Sequence, residues 1–292
     1  MSIDTPAAQP AKANGAAKDL SIGRMLLDMG KITPEGADRV LALQSEQGLR
    51  FGEAAQQLGL ASAGDVAQVL ASQFDYPYVQ ASQSGFDPAL VAALDPFGAQ
   101  AEMLRALRGQ LTVRWFAGKH KALAVVAVDA SAAASALAAN LAIVFAQQGQ
   151  RTVLVDANMR APRQQGLFNL PAGTGLSDAL AGRAPQDGIT PVAPFDKLSL
   201  LGAGPQPPNP LELLARTSFG ELNETLARDF DVVLYDAPAF SSSADAYAIA
   251  ARTRGVLLVV SRSVSRQADI REIRAQLLRA GIEVVGAVLV DI

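Results

Sequence analysis

From about residue 97 the chain sets short, continuous apolar runs between stretches of helical length. The runs are ALAVVAV (122–128), TVLVDA (152–157), LSLLGA (198–203), DVVLYDAP (231–238), GVLLVVS (255–261) and EVVGAVLV (283–290). A strand with one wet face alternates apolar and polar residues. These runs do not, so both faces must be covered, which requires a mostly parallel sheet between layers of helices. Helices are expected at Ala99–Trp115, Ser135–Gln147, from Asn209, 243–253 and 266–280. The expected fold is α/β, a doubly wound and mostly parallel sheet, with its site at the C-terminal ends of the strands.

Ala122–Phe145 is apolar enough to suggest a membrane span. Asp129, Ser131, Ser135 and Asn140 interrupt it, and much of its apolarity is alanine. It reads as a buried strand, a turn and a helix. No charged-then-apolar leader opens the sequence, so a cytoplasmic location is expected. There are no cysteines and one histidine, His120, which excludes thiol nucleophiles, disulfides and His- or Cys-based metal sites. A net charge of −3 provides no global field for nucleic acid.

Two strands end in carboxylates: VLVDANMR carries Asp156 with Arg160 four residues on, and VVLYDAP carries Asp236. Strand-end aspartates commonly cap the next helix. Two of them beside a phosphate loop can instead hold magnesium or its water. Farther on, Asn209, Pro210 and Glu212 suggest an N-cap, a first-turn proline and a capping box in GAGPQPPNPLELL (202–214).

Together these segments resemble the bacterial tyrosine autokinases of exopolysaccharide synthesis, the EpsG-type chain length determinant family, over about residues 95–292. The resemblance includes the motif E-x-x-R-x-x-R at Glu102, Arg105 and Arg108, which in that family mediates ring-like assembly. It implies a P-loop/MinD-like fold, ATP and magnesium as cofactors, Ser135 as the phosphate-loop hydroxyl, Asp156 and Arg160 in the second Walker motif and Asp236 in Walker B. It also implies a homo-oligomer and a membrane polysaccharide co-polymerase of Wzz type as partner. That partner would place the protein at the inner membrane.

The chain departs from this family at the phosphate loop. Between strand and helix it reads VDASAAASALAANLA, with Ala133 and Ala134 where Gly-Lys belongs, and no glycine occurs between Gly118 and Gly149. Such a loop needs glycine to turn consecutive N–H groups onto phosphate and lysine to reach the outer phosphates. Asn158 stands where a second acidic residue is expected, Ala239 replaces a second proline, and VLVDI carries no tyrosine cluster. The expectation is a degenerate kinase, a regulatory or scaffold protein. The alternatives are an active tyrosine autokinase acting on Tyr76, Tyr78 or a partner's tyrosines, and a MinD/ParA-like ATPase.

Residues 21–44 and 50–73 form an internal repeat at an offset of 29. Each copy reads as a short helix, a glycine stop, a Thr or Ser cap and a second helix. The repeat resembles the N-terminal domain of type II secretion and pilus ATPases, the MshE N-terminal type. That resemblance implies cyclic di-GMP as ligand, with Ile22, Gly23, Gly30, Gln44, Arg50, Gly52, Gly59 and Gln73 as candidate contacts. Ser21, Lys31, Ala55 and Gln56 depart from the motif. A disordered tail is expected over 1–18, the repeat domain over 19–80, a linker over 81–96 and the kinase-like domain over 97–292.

Overall fold

The computed structural model describes residues 22–73, 79, 85–183 and 188–291. The tail expected over 1–18, Ser21, Tyr76, Tyr78 and the first part of the expected linker lie outside these residues. The chain divides into two compact units, one ending at Gln80 and the other beginning at Ala81.

The first unit contains a helix over 22–28 (α1), Pro34–Gln47 (α2), Phe51–Gln57 (α3) and Ala63–Gln73 (α4). The boundaries follow from local chemistry. Thr33 caps α2 by accepting from Gly36 N at 3.1 Å, with Pro34 in the first turn. Ser62 and Asp65 reciprocally cap α4. Gly30, Gly48 and Gly59 end their helices with φ near +65°, a conformation open to glycine. Both copies contribute to one core around Leu26, Val40, Phe51, Ala54 and Val69. The Lys31–Asp65 ion pair, 2.8 Å, ties the first copy to the second.

The second unit holds Val91–Leu94 (α5), Ala99–Leu111 (α6), Ala122–Ala127 (β1), Ala132–Gln147 (α7), Thr152–Asp156 (β2), Gln164–Leu167 (α8) and Leu176–Leu180 (α9). There follow Ile189–Pro191 (β3), Leu198–Leu201 (β4), Pro210–Ala215 (α10), Thr217–Asp229 (α11) and Val232–Ala237 (β5). Asp245–Thr253 (α12), Gly255–Ser261 (β6), Gln267–Arg279 (α13) and Glu283–Val290 (β7) complete it. Helix α6 runs on as a π-helical turn over Thr112–Phe116. The sheet order is β3-β4-β2-β5-β1-β6-β7, parallel except for β3 against β4. Helix α7 packs against β1, β2 and β5, and α12 against β1, β5 and β6. One large cluster joins Val126, Val155, Val233 and Tyr235 of the strands to Phe219, Leu226 and Ile249 of the helices.

The six long strands fall where the apolar runs lie. The stretch 122–145 is strand, turn and helix, and no described helix is long and apolar enough to cross a membrane. Two expectations change, and three elements carry no sequence signal. Strand β3 and the short helices α8 and α9 lack a periodic signal of their own. Asn209 precedes α10 with Pro210 in its first turn, but makes no side-chain cap bond. Residues 85–96, expected as linker, are clamped to the α/β unit. Asn140 accepts from Ala92 N at 2.8 Å and donates to Ala89 O at 2.7 Å, Gln147 donates to Ala92 O, and Phe86 meets Phe168 edge-on.

Candidate functional site

The site is built where β1, β2 and β5 end, at the start of α7. Ser131 caps α7 and its hydroxyl accepts from Ala133 N at 3.1 Å, so one N–H of the expected cradle is already used internally. None of the described residues between Gly85 and Gly149 has a positive φ. An anion-binding nest alternates right- and left-handed residues, and this alanine-rich turn has none of the latter. Ala134 is buried in the first turn of α7, beside buried Ser135.

Asp156 and Asp236 are register partners on β2 and β5 and are both buried. Asp156 Oδ2 accepts from Arg163 N at 2.8 Å and Gln164 N at 2.9 Å, and its Oδ1 from Asn158 N at 3.2 Å. Asp236 Oδ2 accepts from Gln164 Nε2 at 2.7 Å, while its Oδ1 makes no hydrogen bond. Burial raises the pKa of both groups; the Asp156 charge raises that of Asp236 further, and the Gln164 amide opposes it. Arg160 forms a two-pronged ion pair with buried Asp245, 2.7 Å at the shorter contact.

A cavity of about 260 Å³ opens here, lined by Ser131, Ser135, Asn158, Arg160, Arg163 and Ser243 among others. Ligand pockets commonly occupy roughly 300–1,000 Å³. The residues do not fit the ATP–magnesium complex that the fold implies. No lysine lines the cavity, the cradle lacks left-handed residues, and Asp236 is held by a glutamine.

The fold sets Ser135, Asp156 and Asp236 around Gln164 and places Arg160 on the cavity wall, paired to Asp245. It adds Gln164 and Asp245, for which no motif signal exists. His120 stacks on Trp115 at 3.8 Å. Glu102 is exposed on α6 and bonds Arg105 at 3.1 Å. Arg105 also reaches Pro96 O, and Arg108 reaches Val144 O at 2.8 Å. Both arginines are therefore engaged within their own unit. Tyr235 is buried and donates to Asn223 Oδ1, and Tyr247 is half-buried against Phe240.

In the first unit, a Cβ on Gly23 would meet the Phe51 ring at 2.9 Å, and one on Gly52 would meet Val66 Cγ1 at 2.8 Å. Those glycines permit close helix packing, and Gly30 and Gly59 end helices. Arg50 is exposed at the start of α3 and its backbone N–H donates to Glu53. Ile22 is half-buried on α1, and Gln44 lies on α2. The Gln73 side chain lies outside the described residues.

No family model matches the chain. It is 28% identical over 200 residues to the tyrosine-protein kinase YwqD of Bacillus subtilis, covering 68% of this chain and 84% of that one. It is 31% identical over 201 residues to the tyrosine-protein kinase wzc of Salmonella typhi, covering 68% of this chain but 28% of that longer protein. Among solved structures, the kinase domain of the Escherichia coli tyrosine kinase ETK matches with TM-score 0.68 at 25% identity, covering 73% of this chain and 84% of that chain. The BceF tyrosine kinase domain matches with TM-score 0.64 at 28% identity, covering 77% and 86%. A MinD of Pyrococcus horikoshii, TM-score 0.51 at 20% identity over 58% and 70%, shares the fold. By sequence and by fold, the α/β unit belongs with the kinase domains of the bacterial tyrosine-protein kinases, on a MinD-like P-loop architecture.

Proposed function

We propose that this chain is a regulatory member of the bacterial tyrosine kinases, working in exopolysaccharide synthesis with little or no ATP-dependent catalysis of its own. One observation carries this reading. The turn entering α7 has alanine at 133 and 134 and no left-handed residue, so it offers neither the backbone cradle nor the lysine a triphosphate needs. One positioned donor to a developing charge is commonly worth about 3–4 kcal/mol of transition-state stabilisation, and several are missing here. Calorimetric titration of the full-length chain with ATP and magnesium tests the reading. Absence of binding supports it, and micromolar binding with phosphotyrosine formation rejects it.

The second reading is an active protein-tyrosine autokinase controlling polysaccharide chain length. The relatives favour it over the degenerate one, because YwqD and wzc both carry the name tyrosine-protein kinase. The retained pair Asp156 and Asp236 also supports it, with Ser135 completing a magnesium site and Arg160 beside it. Its acceptors would be Tyr76, Tyr78 or a partner's tyrosines. A MinD/ParA-like ATPase draws support from the fold alone.

The repeat unit is read as a sensor of cyclic di-GMP, with Arg50 as the exposed cation able to pair with phosphate or the guanine edge. The α/β unit is read as a homo-oligomer assembling through Glu102, Arg105 and Arg108. It would sit beneath a membrane polysaccharide co-polymerase on the cytoplasmic side of the inner membrane.

A further inference from the structure

Behind the wall of this cavity, one buried side chain joins the two strand-end carboxylates to α7. Gln164 is fully buried at the first position of α8 and touches all three elements that form the cleft. Its backbone N–H donates to Asp156 Oδ2, at the end of β2. Its side-chain Nε2 donates at once to Asp236 Oδ2, 2.7 Å, at the end of β5, and to Ser135 O, 3.0 Å, in the first turn of α7. Each of the three bonds uses a group from a different element. We propose that Gln164 is a positioning residue that closes the metal side of this cleft: its amide takes the Asp236 carboxylate and withholds it from divalent cations.

The chemistry supports this assignment in two ways. A magnesium ion keeps several of its waters and usually rests on one or two carboxylates, directly or through water. Asp156 already accepts three backbone N–H groups and Asp236 accepts the Gln164 amide, so three of their four oxygens are used inside the chain. The Nε2–H face of the amide, which is the one turned to Asp236 Oδ2, is also the wrong polarity for a cation at that oxygen. Where a lysine would otherwise neutralise the carboxylates, Ala134 leaves them to amide donors, the Ser135 side chain and the more distant Arg163 charge. Gln164 is thus a structural replacement for charge, and it keeps the pair buried without an ion. The remaining Asp236 Oδ1 and Gln164 Oε1 are buried acceptors without donors. With the Gln164 side chain removed, both oxygens of Asp236 would be open to a cation.

This inference rests on the non-catalytic reading of the same cleft but is tested without nucleotide. Manganese binding to the full-length chain is followed by electron paramagnetic resonance for wild type, Gln164→Ala and Gln164→Leu. Wild type is expected to bind manganese only at millimolar levels. The variants are expected to gain affinity by about tenfold or more, the scale on which groups touching metal ligands act. Asp236→Asn added to Gln164→Ala should remove the gain. Folded variants with wild-type affinity overturn the proposal, as does a gain that survives Asp236→Asn. Tight manganese binding by wild type overturns it even if neither variant folds. ATP–magnesium binding by wild type with no change in the manganese result would instead reject the non-catalytic reading and leave the role of Gln164 standing.

Discussion

Asp156 and Asp236 face each other as register partners on adjacent parallel strands, with both carboxylates removed from solvent. Two negative charges in a medium of low polarity repel strongly, and burial penalises each charged form on its own. Backbone amides hold Asp156, and one glutamine amide holds Asp236. The arrangement is most stable when the pair carries at least one proton.

Stability should therefore fall as pH rises from about 4, the ordinary aspartate range, to about 7, where the Asp236 carboxyl has been pushed. Within that window the folded chain holds protons that the unfolded chain has released, so raising pH favours unfolding. Asp65 acts oppositely and elsewhere. Its pKa is lowered to about 2 by Lys31 and Ser62, so its contribution is lost only as pH falls below about 4. Asp236→Asn should flatten the slope between pH 4 and 7 and stabilise the protein at pH 8 by about 1 kcal/mol or more. Urea unfolding followed through Trp115 at several pH values measures this; an unchanged slope in the variant rejects it.

Asn140 anchors the segment that enters the α/β unit. Asn140→Ala leaves Ala92 N and Ala89 O without their side-chain partner. Ala92 is buried and Ala89 exposed, so one buried group is left unsatisfied and a loss of about 1–3 kcal/mol is expected. Hydrogen exchange of residues 89–94 should accelerate before global unfolding. Wild-type protection there would show that the Gln147 bond to Ala92 O and the packing of Phe86 and Leu90 hold the segment without Asn140.

The sheet was legible because continuous Val/Leu runs allow little besides a covered strand, and Asp156 and Asp236 could be placed at strand ends by spacing. The clamped segment 85–96 was not legible, since its ties to Asn140 and Gln147 are tertiary and leave no periodicity. Gln164 was hidden for the same reason: a glutamine in a short irregular stretch carries no signal until β2, β5 and α7 converge on it. The repeat's glycines show the converse. Their spacing was plain, but their packing against Phe51 and Val66 emerges only when the helices meet.

Gly52→Ala separates ligand contact from packing in the repeat unit. The added Cβ would stand 2.8 Å from Val66 Cγ1, so the core must shift. Overpacking of this kind costs about 1–3 kcal/mol. Circular dichroism should record a lower melting temperature for the unit. Arg50→Ala, at an exposed position, should leave the melt unchanged and reduce cyclic di-GMP affinity. Loss of affinity in Gly52→Ala alone, with Arg50→Ala unaffected, would place the ligand away from Arg50.

The strongest test of the cleft is to restore what its sequence lacks. Ala133→Gly gives the turn a residue free to adopt the left-handed conformation, and Ala134→Lys sets an ammonium in the buried first turn of α7, near Asp156 and Asp236. A buried cation beside two buried carboxylates removes their mutual repulsion, so the double variant should also lose the stability decline between pH 4 and 7. ATP with magnesium should bind the double variant in calorimetry where wild type gives no heat. Each substitution alone should do less, because a lysine without the cradle has no phosphate to reach and a cradle without lysine leaves the carboxylates facing the phosphates. If the double variant regains the flat pH profile but not ATP, the obstacle is Gln164 on Asp236, and adding Gln164→Ala should then open the site. If wild type already binds ATP as tightly as the double variant, the alanine turn forms a phosphate site by another route and the active-kinase reading holds.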